Sequence, residues 1–176
     1  MRNLAEKWTA PPNWTAAEIT IPGLVVKTRP GLFQNIVSGN LAGWAQAAKM
    51  PAMGVGAFSP ASGEAYCAQI ARDRLLAVTA RPLEVASGWH EAGFAVTPVS
   101  AGLHVFAIRG EATSELIARA STLAPETHSA SSALVFGGVS AIVYRHDEDL
   151  LVHVDRGLAT YLWVWMHKAV ANISMA

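Results

Sequence analysis

The sequence predicts an α+β fold of antiparallel sheets with helices on one face. Extended runs rich in Val, Ile and Leu recur along the chain and are joined in pairs by short turns, as in hairpins. Apolar residues take helical spacing only near 41–48, 111–123 and 157–171, with a shorter stretch at 83–90. There is no repeat of fixed period and no low-complexity block, which excludes a solenoid.

Composition supports a well-filled core and narrows the partners. Of 176 residues, 52% are apolar and 15% charged, so the chain buries a core without needing disulfide or metal staples. Thirteen basic residues balance thirteen acidic ones, which removes the electrostatic footprint of a nucleic-acid binder. A neutral, sparsely charged surface favours association with another protein or with itself. Cys67 is the single cysteine, so no intrachain disulfide forms and the cytoplasm is the expected compartment. Residues 1–8 lack the apolar segment of a secretory signal, and no run approaches the roughly 20 apolar residues that span a bilayer.

Residues 1–22 read as an N-terminal arm, because Trp8, Pro11, Pro12 and Trp14 combine bulky rings with residues that forbid regular structure. The remainder, 23–176, reads as a single α+β domain. Residues 24–28 and 32–37 are strand-like and flank Pro30-Gly31, which predicts a hairpin. Ser38-Gly39-Asn40 supplies capping chemistry for a helix with Leu41, Trp44, Ala45 and Ala48 on one face, ending before Pro51. After a turn-rich loop at 54–63, strands at 64–70 and 74–79 form a second hairpin. A short helix at 83–90 precedes an extended run at 94–99, whose Pro98 requires an edge or an irregular end. A strand at 103–109, a helix at 111–123, a hairpin of 139–146 with 150–155, and a helix at 157–171 then follow. This β-α-β-β-α succession is the split plan of a ferredoxin-like half, and the first half of the domain repeats its logic loosely.

Few residues offer chemistry. Gly54-Val55-Gly56 lacks the third glycine and the helix start that a pyrophosphate cradle needs, so it reads as a flexible loop. Cys67 has no positive neighbour in sequence to activate it. The six histidines show no zinc spacing, and no metal site is expected. Asp147-Glu148-Asp149 reads as a solvated hairpin tip. His153 and Asp155 share a strand face and could share a proton, but no nucleophile accompanies them. With Asp147-Glu148 as the turn, one hairpin face collects Ala141, Val143, Val152 and Val154, and the other Ile142, Tyr144, Leu151 and His153. Both faces are apolar, so the second needs a cover from the rest of the chain or from a partner. In the last helix Leu158, Tyr161, Leu162, Trp165, Met166 and Ala169 form the expected core stripe. Trp163 lies off it, either as an interface anchor or packed beneath the arm. The expected partner contacts are therefore Trp8, Trp14, Tyr144, Leu151, His153 and Trp163.

The segment 150–166, LLVHVDRGLATYLWVWM, resembles the closing segment of the gamma subunit of heterotetrameric sarcosine oxidase: an apolar strand, an Arg-Ser step, and a helix with a Tyr-Leu-Trp-x-Trp-like core. Arg156 matches the arginine and Gly157 replaces the serine. Upstream, Arg109-Gly110-Glu111-Ala112 is similar to the family's strand-to-helix step. Residues 70–76, IARDRLL, are similar to its Leu-Gly-Pro-Asp-Glu-Trp-Leu hairpin with the glycine, proline and tryptophan missing. The order of elements agrees from about Leu24 onward, leaving the arm outside the match.

This resemblance implies the folate-binding fold shared with glycine-cleavage T-protein and the amino-terminal domain of the tRNA-modifying GTPase. It implies a noncatalytic accessory subunit of a flavoenzyme complex in sarcosine and one-carbon metabolism, with larger flavin-containing subunits as partners. FAD, FMN, NAD and tetrahydrofolate would sit on those partners, and no catalytic residue carries over. The competing expectation is a stand-alone folate-binding protein or one-carbon transferase of the same fold. Folate's glutamate tail would want a cation such as Arg109, Arg145 or Arg156, and its pterin a buried carboxylate and an aromatic wall.

Overall fold

The computed structural model describes residues 10–127 and 129–173. The chain alternates between two sheets. In the first, β1 (Glu18–Ile21) turns at Pro22-Gly23 into β2 (Leu24–Thr28), with Gly23 supplying a φ of +77°. Beyond β2 lie β9 (Leu103–Arg109), β12 (Asp149–Asp155), β11 (Val139–His146) and β10 (Ala133–Phe136), each antiparallel to its neighbour. The two-residue β4 (Pro60–Ala61) joins β11 in parallel. The second sheet runs β5 (Ala65–Ala71), β6 (Arg74–Thr79), β3 (Phe33–Gly39), β8 (Phe94–Pro98) and β7 (Gly88–His90), also antiparallel.

Three cores separate four layers. Helices α2 (Thr113–Ala120) and α3 (Ala159–Ile173) bury Leu116, Ile117, Leu162 and Met166 against Phe106, Ile108, Val143 and Val152 of the first sheet. Its opposite face, with Val105, Tyr144 and Leu151, packs on Tyr66, Ala68, Leu76 and Val78 of the second sheet. The outer face of the second sheet is closed by α1 (Leu41–Ala48), which seats Trp44 on Val37, Cys67 and Phe94. Each sheet therefore carries helices on one face and its neighbour on the other.

Local chemistry accounts for the elements that were expected and found. Asn40 caps α1 through its Oδ1, which accepts from the Gly43 N–H at 3.1 Å, while its Nδ2 donates to the Ala92 carbonyl at 2.8 Å. The hairpins β5–β6 and β11–β12 form with Arg72-Asp73 and Asp147-Glu148 as their turns. Pro98 ends β8 beyond the reach of β7, so its missing N–H breaks no ladder.

Several expectations fail for identifiable reasons. The predicted hairpin of 24–37 does not exist: β2 and β3 belong to different sheets, and Pro30-Gly31 carries the chain across, with Gly31 at φ +82°. Part of the arm, Glu18–Ile21, is an edge strand. No helix forms at 83–90, because Trp89 and His90 pair with β8. Helix α2 is shorter than 111–123. It ends where Ser121 turns extended and its Oγ accepts from the Leu123 N–H at 3.0 Å. Strand β10 was not foreseen. On α3 the buried face is turned toward Trp163, leaving Tyr161 exposed along with Leu158 in the turn before the helix.

Candidate functional site

The seam between the sheets holds a string of polar side chains from four strands. Alternation along β11 and β12 puts Tyr144 and His153 on the same face as diagonal neighbours, since Tyr144 pairs with Leu151. The second sheet brings Gln34 on β3 and Tyr66 on β5 to meet them. The Tyr144 hydroxyl lies 2.7 Å from His153 Nε2 and 3.2 Å from the Tyr66 hydroxyl, and His153 Nδ1 lies 2.6 Å from Gln34 Oε1. Beyond Gln34, its backbone N–H donates to Ser100 Oγ at 2.8 Å. Tyr144 and His153 are fully enclosed, at 0% and 1% exposure.

Burial sets the protonation of this string. Desolvation pushes the His153 imidazole down to about 3, so it is neutral and has one N–H. With Gln34 Oε1 accepting at Nδ1, the proton sits there, and Nε2 accepts from Tyr144. The Tyr144 oxygen then accepts from Tyr66, and the Gln34 amide nitrogen is left as a donor. Both tyrosines are pushed up, first by burial, and stay protonated. Every hydrogen bond in the string has a donor and an acceptor, and Tyr144 and His153 are closed off from any substrate. It satisfies buried polar groups and fixes the register of one sheet on the other.

These positions overturn part of the expected contact surface. Tyr144, Leu151 and His153 face the second sheet and are unavailable to a partner, because the domain itself covers that hairpin face. His153 does not share its proton with Asp155, whose Oδ1 instead accepts from the Gly157 N–H at 2.7 Å. Trp163 is 6% exposed and lies beneath the arm: Trp14 meets it edge-on at 5.9 Å and packs on His104 at 4.4 Å. Thr28 fixes that contact by donating from Oγ1 to the Trp14 carbonyl at 2.6 Å. Trp8 lies outside the described residues.

The three arginines have different surroundings. Arg109 donates from Nε to Asp149 Oδ1 at 2.7 Å and pairs with Glu148 at 2.9 Å. Asp149 is 7% exposed and also faces Arg29 at 3.6 Å, so the acidic triplet is not wholly a solvated tip. Arg145 and Arg156 have no carboxylate partner within ion-pair distance among the described residues. Arg156 makes one long contact, 3.4 Å from Nη2 to the Ser100 carbonyl.

The remaining motifs are structural. Cys67 is buried, and desolvation pushes its thiol up to about 12. The loop at 54–56 is tightly packed rather than flexible. Val55 bridges Ala68, Gly54 N–H donates to Gln69 Oε1 at 2.9 Å, and a Cβ on Gly56 would strike the Ser129 carbonyl. Among the described residues no three His, Cys, Asp or Glu side chains gather as a metal would require.

One end of the seam opens into a cavity of about 350 Å³, framed by the crossovers from β2 to β3 and from β8 to β9. Gln34, Ser100, His104 and Arg156 line it, with Arg29 across from them and Trp14 as a wall. Elsewhere the surface exposes large apolar side chains that sequence reasoning passed over, including Met53 (81%), Trp89 (72%), Val135 (59%) and Tyr161 (51%). Trp89 stands on β7 at the edge of the second sheet. Its exposure could have been suspected only once the 83–90 segment was read as a strand.

The fold and this seam define a mixed α+β protein of two packed antiparallel sheets flanked by helices. No family model matches the sequence, and no curated protein matches it. Among solved structures, a chain of the heterotetrameric sarcosine oxidase from Corynebacterium sp. U-96, determined in complex with pyrrole 2-carboxylate, superposes with a TM-score of 0.70 at 12% identity. The match covers 92% of this chain and 91% of that one. The resemblance read from segment 150–166 thus holds in three dimensions, as a likeness of fold. No helix among the described residues is long and apolar enough to cross a membrane.

Proposed function

We propose that this chain is a noncatalytic accessory subunit, or a derived relative of one, in a flavoenzyme complex of the sarcosine oxidase type. The observation that carries the reading is the near-complete mutual coverage of this chain and the matched chain. Coverage that high on both sides makes the likeness one of nearly the whole of both chains rather than of a shared fragment. The interior agrees with it. The buried polar string is enclosed and internally hydrogen-bonded, and the thiol is held protonated. In this reading FAD, FMN, NAD and tetrahydrofolate belong to larger partner subunits, and the chain works through contacts in sarcosine and one-carbon metabolism. Exposed side chains such as Trp89 and Tyr161 replace the enclosed Tyr144, Leu151 and His153 as the places where those contacts form.

The alternative of a stand-alone folate protein is less well supported. Among the described residues that line the cavity beside Arg156 there is no carboxylate to hold a pterin ring. The test is affinity capture of the tagged full-length chain from its source cells, followed by flavin absorbance of the eluate. A stoichiometric larger flavoprotein is expected. Recovery of the chain alone or as a homodimer, with no flavin, overturns the subunit reading.

A further inference from the structure

The cavity between the crossovers has features that the buried string and the subunit reading do not use. The protein as a whole is neutral, yet among the described residues the cavity lining holds Arg29 and Arg156 and no aspartate or glutamate. Arg29 is partly compensated by Asp149 at 3.6 Å, outside the cavity, whereas Arg156 has no carboxylate partner within ion-pair distance among the described residues. An exposed guanidinium at the rim of a recess, with no carboxylate partner, is suited to receive a carboxylate or another oxyanion.

A neutral donor faces the same space. The buried string fixes the Gln34 side chain through its Oε1, which His153 engages at 2.6 Å, so its amide nitrogen remains unengaged while Gln34 lines the cavity. Ser100 holds the backbone of Gln34 with its hydroxyl and stands beside Arg156. Gln34 is 3% exposed, so this donor is held by packing rather than by solvent. His104 Nε2 is also enclosed and has no hydrogen-bond partner. Trp14, tilted by 49° against His104 at 4.4 Å, and Leu32, Leu103 and Val105 give the cavity its apolar wall, with Thr15 and Thr28 beside them.

We propose that this cavity binds a small organic carboxylate with a flat apolar body, its carboxylate held by Arg156 with Gln34 and its ring against Trp14. The volume is at the lower end of the range for small-molecule sites, which suits a single-ring or two-ring acid. The recess is bounded on two sides by crossover backbone, which favours a compact ligand over a peptide strand. The inference concerns the chain by itself and stands whether or not the chain assembles with flavin subunits.

Calorimetry and thermal shift on the purified full-length chain test it, with acetate, benzoate and indole-3-acetate as probes and benzamide and indole-3-acetamide as neutral counterparts. Benzoate and indole-3-acetate should bind more tightly than acetate, and each amide should bind at least about tenfold more weakly than its acid, the usual cost of losing a charged hydrogen bond. Arg156→Gln should weaken the acids by a similar factor while its unliganded melting temperature stays near that of the parent, since Arg156 is exposed and outside the core. Failure of all three acids to bind overturns the proposal. So does equal binding of acids and amides, or unchanged binding in a folded Arg156→Gln variant. Should that variant not fold, Arg29→Gln and the comparison of acids with amides decide the question.

Discussion

The two faces of β12 meet different kinds of interior. Toward the helices it presents Leu150, Val152 and Val154 to a dry core capped by α2 and α3. Toward the second sheet it presents Leu151 and His153, and the histidine joins a polar string across the seam. Apolar packing is non-directional and tolerates small shifts, whereas hydrogen bonds at 2.6 and 2.7 Å do not. The helix-facing core therefore supplies most of the stability, and the seam determines how one sheet sits on the other.

The largest expected effect breaks the dry side. Phe106 is fully buried and stacks on Trp163 at 5.8 Å. Phe106→Ala should cost about 3–5 kcal/mol in urea unfolding, the range for truncating a buried aromatic ring. A loss below about 1 kcal/mol would mean that this core does not carry the fold, and the contrast would collapse.

Acid should attack the seam instead. The His153 pKa is about 3 in the folded chain, against an ordinary value near 6.5, and His104 is lowered to about 4 by burial and then by Arg156. A depressed histidine pKa means that the unfolded state binds protons first. Stability is therefore complete above about 6.5 and falls as the pH drops toward 3. His153 alone should contribute about 1.4 kcal/mol per pH unit within that window. Urea midpoints measured from pH 7 to 4.5 should fall less steeply in His153→Gln than in the parent. Parallel slopes would show that the imidazole is not held neutral in the fold.

A gentler cut separates the members of the string. Tyr144→Phe removes the hydroxyl that serves both His153 and Tyr66, stranding a buried acceptor on His153, and should cost about 1–3 kcal/mol. Tyr66→Phe removes only the terminal donor and should cost less. Equal effects from the two would mean that the string is not ordered as its proton inventory requires.

How legible this was in the sequence depended on chain separation. The hairpins at 65–79 and 139–155 were readable because alternation and a two-residue turn lie in one window, and half of the seam followed, with Tyr144 and His153 on one face. Their other partners, Gln34 and Tyr66, lie 119 and 78 residues away and leave no local trace. Pro30-Gly31 looks the same whether it closes a hairpin or crosses between sheets, and that ambiguity hid the two-sheet architecture and the cavity it frames. Aromatic residues on both sides of α3 made two stripes available, and spacing alone put Tyr161 rather than Trp163 in the core because the cover supplied by Trp14 has no local trace.

The smallest expected effect concerns the third core, outside the second sheet. Cys67 is 2% exposed there, its thiol pushed up to about 12, with Sγ 3.6 Å from the Pro51 carbonyl and the α1 layer above it. At neutral pH almost no thiolate exists to react, and a reagent reaches the sulfur only when this layer opens. Treatment of the native chain with iodoacetamide should leave Cys67 unmodified by mass spectrometry over hours, with complete alkylation in denaturant. Rapid native alkylation would show that α1 opens separately from the two sheets. The layer would then be the weakest of the three, and the division between a stabilising core and a register-setting seam would apply only to the first sheet.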